Sequence, residues 1–419
     1  MRPILFRGAT LLSGDEGWVP RPGTDLLVAD GRIAARGPAL APPDGAEVVD
    51  AARLLILPAF VNAHTHSAEA LARGRAPMAR LDEWLGAQYA EGEDALAAAE
   101  IRHAILLAAA ECIRGGAVSV TDHFRQIPQS RDAVAAAAAA WGESGMRARI
   151  AVMLRDLPSP GRAAPAPTAE VLATAAVILR DAPPGAAIGL GPSAPQRCSD
   201  ALLAGLGDLA RAHGSFVHLH VCETALDAER CRARFGQPAV FALEALGLAG
   251  PRVEYAHCVH LTDAELDRMA ATGTLFVHNP LANLRLGSGI APVARALARG
   301  VRVGVGSDGA GSNDTQDMLE AAKFAMLLPR AGRPDAEWPT PEQALGMATG
   351  GGVLGPGSEA DLIAFDLGAP AFVRARPEEV AARLLLAARP RDLRHVLAAG
   401  AFLLRDGELL SPALRAAAA

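Results

Sequence analysis

Two hydrophobic patterns divide the chain. Residues 1–57 carry short apolar runs broken by turn residues: Ile4-Leu5-Phe6, Leu26-Leu27-Val28 ahead of Asp30-Gly31, and Val48-Val49. Asp-Gly between apolar runs predicts a hairpin. The tail has the same character, with Asp361-Leu-Ile-Ala-Phe365 and Val396-Leu-Ala-Ala around helical stretches and Asp406-Gly407 near the end. Between them, apolar runs at 54–61, 117–120, 150–154, 187–190, 216–221, 253–256, 275–277 and 301–305 alternate with alanine-rich helical stretches. Strands apolar on both faces and separated by helices belong in a parallel sheet. Eight such units predict an α/β fold, a closed (β/α)8 TIM barrel over residues 58–356. The two ends, 1–57 and 357–419, are expected to join into one small β-sandwich module. The alanine run 133–140 predicts a plain helix. The proline-rich stretch 158–167 is a loop that either borders the pocket or merely connects elements.

Composition narrows the function. Of 419 residues, 51% are hydrophobic and 21% charged, as in a globular chain with a large core. The formal net charge of −6 gives no broad basic field, which argues against a nucleic-acid partner. Five scattered cysteines without a CxxC pair read as free thiols of a reducing compartment. No signal-like N-terminus and no unbroken apolar run of about 20 residues are seen, so no membrane span is expected and the expected location is cytoplasmic. Among 40 basic residues, Lys323 is the single lysine.

Chemistry-bearing residues fall at the predicted strand ends. Asn62-Ala-His64-Thr-His66 closes the first, His218-Leu-His220-Val-Cys-Glu223 the fifth, Ala256-His257-Cys258-Val-His260 the sixth, and Ser307-Asp308-Gly309 the last. Alternate residues of a strand share a face, so His64 and His66 can both point into the barrel mouth. Barrel enzymes collect catalytic groups at this C-terminal face. Imidazoles and a carboxylate there make a ligand set for zinc or iron.

Taken with Pro58-Ala-Phe-Val-Asn-Ala-His-Thr-His66, Phe276-Val-His-Asn-Pro-Leu-Ala-Asn283 and Gly357-Ser-Glu-Ala-Asp361, these motifs resemble the amidohydrolase superfamily. The resemblance is to its branch of cytosine, guanine and methylthioadenosine/adenosylhomocysteine deaminases and triazine hydrolases, and it spans essentially the whole chain. It implies metal ligation by His64, His66, His220 and Asp308, proton shuttling by Glu223, and polarisation or orientation of the reacting group by His257. One divalent ion is implied, zinc ahead of iron. Many binuclear relatives bridge two metals with a carbamylated lysine on a middle strand. No lysine lies between His66 and His220, so a single metal is expected.

The chemistery of that set is hydrolytic. A bound divalent ion lowers the pKa of water from roughly 15.7 to about 7. Asp308 can accept its proton, and a nearby carboxyl such as Glu223 can protonate a leaving nitrogen. The expected reaction is hydrolytic deamination of a small aminated heterocycle such as a purine, pyrimidine, pterin or triazine. Hydrolysis of a ring C–Cl or cyclic amide bond is the alternative on the same site, and a non-catalytic scaffold is the alternative of another class. Glu93, nine residues past Trp84, falls where adenosine-type deaminases place a ribose-binding glutamate, although an acid at a helix start explains it equally well. Ser193 stands where those deaminases have the histidine of Gly-Pro-His, which counts against methylthioadenosine or adenosylhomocysteine as the main substrate. Ser193 and Gln196 are candidate substrate contacts, since Gln can pair with a ring amide edge. His218 is expected behind the ligands or in the core. His123, His260 and His278 either line the pocket or are ordinary. A homodimer is suggested by the resemblance alone.

Overall fold

A computed structural model describes residues 2–88, 95–158, 165–331, 334 and 337–419. Eight parallel strands follow one another around a barrel: β1 (Phe60–Thr65), β2 (Ala117–Phe124), β3 (Arg147–Leu154), β4 (Ala186–Pro192), β5 (Val217–Val221), β6 (Val253–His257), β7 (Leu275–His278) and β8 (Val303–Val305). Each pairs in parallel with the next. The seam between β8 and β1 is closed differently. The Asp308 backbone N–H donates to the His64 carbonyl at 2.9 Å, and the Ser307 N–H to Asn62 Oδ1 at 3.0 Å. Gly306 allows this approach, since a Cβ there would stand 2.8 Å from the His64 nitrogen and 2.5 Å from Asn279 Oδ1.

A second sheet joins the ends of the chain. Strands Ile4–Leu11, Arg21–Ala29, Arg32–Gly37, Glu47–Asp50 and Leu54–Pro58 come from the N-terminal side, and Leu362–Asp366, Leu393–Ala398, Ala401–Arg405 and Glu408–Leu409 from the C-terminal side. The halves meet where Leu54–Pro58 runs antiparallel to Leu362–Asp366, with Leu57 opposite Ile363. Asp30-Gly31 turns the expected hairpin with both residues at positive φ, +50° and +75°, as a tight two-residue turn requires. Phe6, Leu26, Ile33, Ile56 and Leu362 fill the core of this module. The alanine run lies in the helix Arg131–Ser144, capped by the Ser130 hydroxyl.

One expected strand is two. The run 54–61 is not a single barrel strand: Leu54–Pro58 belongs to the terminal sheet, and the barrel begins at Phe60. Both pieces are buried on both faces, so the apolar pattern runs on without marking the change of sheet. Among the described residues, no helix is long and apolar enough to cross a membrane.

Candidate active site

The functional strand ends share an unusual backbone. Cys222, His257, Cys258 and Asp308 all take positive φ, between +48° and +71°. Non-glycine residues rarely accept this region, and here it turns the chain sharply where β5, β6 and β8 meet their loops. The turns aim Glu223, His257 and Asp308 at one point above the barrel, beside His64, His66 and His220.

The hydrogen bonds fix the tautomers of three imidazoles. His66 Nδ1–H donates to the His123 carbonyl at 2.7 Å, and His220 Nδ1–H to the Ser193 carbonyl at 2.6 Å. His64 Nδ1–H donates to His218 Nε2 at 2.7 Å, and His218 Nδ1–H to Glu254 Oε2 at 2.8 Å. His218 and Glu254 sit opposite each other in the β5–β6 register, so the pairing of strands builds this relay directly. Arg149 completes it on the other oxygen of Glu254. With each Nδ1 committed to donation, the Nε2 lone pairs of His64, His66 and His220 are left to converge.

They converge on little else. His66 Nε2 and His220 Nε2 lie 3.2 Å apart, and His64 Nε2 is buried with no hydrogen-bond partner. Asp308 Oδ1 lies 3.3 Å from His64 Nε2 and 3.5 Å from His66 Nε2. Burial pushes the imidazoles of His64 and His220 well below their ordinary pKa, which keeps them neutral. Opposed lone pairs next to a carboxylate repel one another until a cation lies among them. Two triads that share His64, one with His66 and Asp308 and one with His123 and His220, bring their ligand atoms close enough to hold a divalent metal ion.

Two further groups face the same space. Glu223 is buried, with Ser288 Oγ at 3.5 Å and His257 Nδ1 at 3.8 Å from its Oε1. Burial pushes its carboxyl up to about 7. His257 Nδ1–H donates to Asn283 Oδ1 at 2.8 Å, which leaves its Nε2 3.9 Å from Asp308 Oδ2. Burial alone would lower the His257 pKa, but the charges of Glu223 and Asp308 raise it.

The other sequence candidates fall at varying distances from this centre. Ser193 lines the small inner chamber of about 40 Å³ that also holds His66, His220, Glu223, His257 and Asp308. Gln196 lines an adjoining chamber of about 310 Å³, and its Nε2 donates to Asp227 Oδ1 at 2.6 Å. Its Oε1 is buried without a hydrogen bond, and the second N–H of the amide is not committed to Asp227. Glu93 and residues 159–164 of the proline-rich loop lie outside the described residues. Neither chamber is lined by His123, His260 or His278: His123 Nε2–H donates to the Gly191 carbonyl, and His260 Nε2–H to that of Ser288. Lys323 lies on the helix Met318–Leu327 and donates to the Leu386 carbonyl.

Several contributors were not foreseen. Gln316 Nε2 donates to the Asp308 carbonyl at 2.8 Å, while its Oε1 meets the hydroxyls of Thr65 at 2.8 Å and Ser307 at 3.0 Å. It pins the strand end that carries Asp308. Asp122 accepts from the Ser67 N–H at 3.0 Å, the Ser67 hydroxyl at 2.6 Å and the Trp141 indole at 3.0 Å, and so holds the turn after His66. Glu69, three residues past His66, is a buried carboxylate in the inner chamber wall, packed so close to Gly309 that a Cβ there would stand 1.9 Å from its Oε2.

A barrel whose C-terminal mouth gathers histidines and a carboxylate able to hold a divalent ion has the site of a metal-dependent hydrolase. The chain belongs to the amidohydrolase family, whose model matches residues 55–408. It is 33% identical over 97% of its length to a 5-methylthioadenosine/S-adenosylhomocysteine deaminase of Syntrophobacter fumaroxidans, covering 94% of that protein. It is also 33% identical, again over 97% of this chain and 94% of the relative, to a 5'-deoxyadenosine deaminase of Methanothermobacter thermautotrophicus. The structure of an adenosine deaminase from Xanthomonas campestris with bound zinc superposes with a TM-score of 0.86 at 26% identity, over 99% of this chain and 96% of that one. The chain is an enzyme acting on carbon–nitrogen bonds by metal-dependent hydrolysis.

Proposed function

We propose that this enzyme hydrolytically deaminates a small aminated heterocycle at a single zinc held by His64, His66, His220 and Asp308. The observation that carries the reading is that the Nε2 lone pairs of His64, His66 and His220, each freed by an Nδ1–H hydrogen bond, crowd together, those of His66 and His220 against each other and those of His64 and His66 beside the Asp308 carboxylate. A divalent ion bound there makes water acidic enough to serve as the nucleophile near neutral pH.

The protein's own groups supply the remaining steps. Asp308 lies beside both the imidazole cluster and His257, where it can take the proton of the attacking water. Glu223, with its carboxyl raised to about 7, is partly protonated at neutral pH and can hand a proton to the leaving nitrogen. His257, oriented by Asn283, turns Nε2 into the chamber and can donate to the oxygen or nitrogen on which charge develops.

The relatives named as deaminases of adenosine derivatives support an aminated ring as substrate. Ser193 in place of the histidine expected in that branch argues for a ring decorated differently from methylthioadenosine. The test is ammonia release by zinc-loaded protein across a panel of aminated purines, pyrimidines, pterins and triazines. Release from at least one, lost in His220→Ala together with zinc, is expected. A zinc-replete protein inert on the whole panel would count against the reading.

A further inference from the structure

Among the described residues, β8 and β1 are the neighbouring barrel strands that share no ladder, and a buried polar cluster joins them instead. Asn62 and Thr65 come from β1, Ser307 follows β8, and Gln316 lies in the loop ahead of the helix Met318–Leu327. All four are buried. Asn62 Nδ2 donates to Ser307 Oγ at 2.8 Å and reaches Gln316 Oε1 at 3.4 Å. The cluster centres on the carbonyl of Asp308. Gln316 Nε2 donates to it at 2.8 Å, and the hydroxyls of Ser307 at 2.9 Å and Thr65 at 3.0 Å can do the same.

Those hydroxyls have a second acceptor. Gln316 Oε1 lies 2.8 Å from Thr65 Oγ1 and 3.0 Å from Ser307 Oγ. Each hydroxyl carries one proton, so at any moment it serves either the Asp308 carbonyl or the Gln316 amide. The amide gives the carbonyl a donor of its own and accepts from the hydroxyls, which closes the hydrogen bonds across the seam.

The consequence falls on the Asp308 carboxylate. The backbone of this residue has φ +62°, a region that non-glycine residues keep only when their surroundings hold them there. Its N–H is fixed on the His64 carbonyl at 2.9 Å, and its carbonyl is fixed in the cluster. Its Oδ1 accepts from the Gly309 N–H at 2.7 Å. With the peptide groups on both sides tied down, the side chain leaves the backbone in one direction. That direction brings Oδ1 to 3.3 Å from His64 Nε2 and 3.5 Å from His66 Nε2.

We propose that Gln316, acting with Thr65 and Ser307, is a positioning residue for the reaction: it clamps the Asp308 carbonyl so that the carboxylate meets both the cation and the attacking water. The inference rests on the deaminase reading for the role of Asp308, while the clamp can be followed without turnover.

The variants are Gln316→Met, Thr65→Val and the two combined, which stay close to the native volume and remove hydrogen bonds. Zinc affinity is read by chelator competition, the metal's ligands by the absorption spectrum of the cobalt(II)-loaded protein, and folding by urea unfolding of the zinc-free protein. Kinetics use the best substrate of the ammonia-release panel. In Gln316→Met both hydroxyls are free to turn to the Asp308 carbonyl, so the loss is partial: about tenfold in zinc affinity and in kcat, with KM within about threefold and an altered cobalt spectrum. The Thr65 hydroxyl then matters more than before, so the double variant should lose at least about threefold more than the product of the single losses. If Gln316→Met does not fold, Thr65→Val and Ser307→Ala ask the same question, because both hydroxyls serve one carbonyl and their combined loss should again exceed the product. A folded Gln316→Met protein with wild-type zinc affinity, cobalt spectrum and kcat overturns the proposal. So does a loss confined to KM, or a double variant equal to the product of its singles. Coupled losses of zinc affinity in a protein that releases ammonia from no ring would sink the deaminase reading and leave the clamp standing. Ammonia release by wild type that every variant retains in full would do the opposite.

Discussion

Replacing His218 with leucine tests the relay behind the metal ligands. His218 touches neither chamber, yet it accepts the Nδ1–H of His64 at 2.7 Å and donates to Glu254 at 2.8 Å, and it is fully buried. Leucine fills a similar volume but offers no acceptor, so the His64 Nδ1–H loses its partner in a dry site. An unsatisfied buried donor costs about 1–3 kcal/mol. His64 can escape part of that cost by turning its ring or by moving its proton to Nε2, and either response removes a lone pair from the cation. Loss of such an outer partner lowers metal affinity by about 10- to 100-fold, or roughly 1.4–2.8 kcal/mol. Glu254 keeps Arg149 as a counter-charge, so the fold is expected to survive. The assay is zinc affinity by competition with a chromophoric chelator, with thermal unfolding of the zinc-free proteins as the control for folding. A folded His218→Leu protein that binds zinc within twofold of wild type would refute the relay.

Other perturbations address separate parts of the site. Glu223→Gln is expected to retain stoichiometric zinc and lose about 10²- to 10⁴-fold in kcat, since it removes a proton carrier but no ligand; near-wild-type turnover would exclude Glu223 from proton transfer. Gly306→Ala puts a Cβ within 2.8 Å of the His64 backbone and 2.5 Å of Asn279 Oδ1, and should destabilise the protein by about 1–3 kcal/mol or more in urea while weakening zinc binding. Burial pushes the Asp317 carboxyl up to about 6, above its unfolded value near 4, so this group favours the folded state least above pH 6 and the penalty fades as pH falls toward 4. Asp317 caps the helix Met318–Leu327, and Asn caps equally well. Wild type should therefore gain on the order of 2–3 kcal/mol relative to Asp317→Asn between pH 7 and pH 4, and a pH-independent difference between the two would contradict the shift.

What the sequence disclosed about this site follows from strand parity. His64 with His66, and His218 with His220, are spaced by two, and alternate residues share a face, so their common direction is readable without coordinates. Asp308 and Glu223 were readable because barrel chemistry gathers at strand ends. The division of the 54–61 run into two strands was not, because burial on both faces gives Leu54–Pro58 and Phe60–Thr65 one continuous apolar pattern. The Glu254 partner of His218 depends on the β5–β6 register, which a single chain of letters does not carry. Gln316 ties the Asp308 turn to distant Thr65, and Asp122 ties the turn after His66 to the Trp141 indole; nothing in their immediate neighbours marks either role.

The central claim is that three imidazoles and one aspartate share one cation, and the anomalous scattering of zinc in crystals of the zinc-loaded enzyme tests it most directly. One zinc is predicted, about 2.0–2.2 Å from Nε2 of His64, His66 and His220 and from a carboxylate oxygen of Asp308. Zinc bound away from these four side chains, or a second zinc of equal occupancy beside the first, would contradict it.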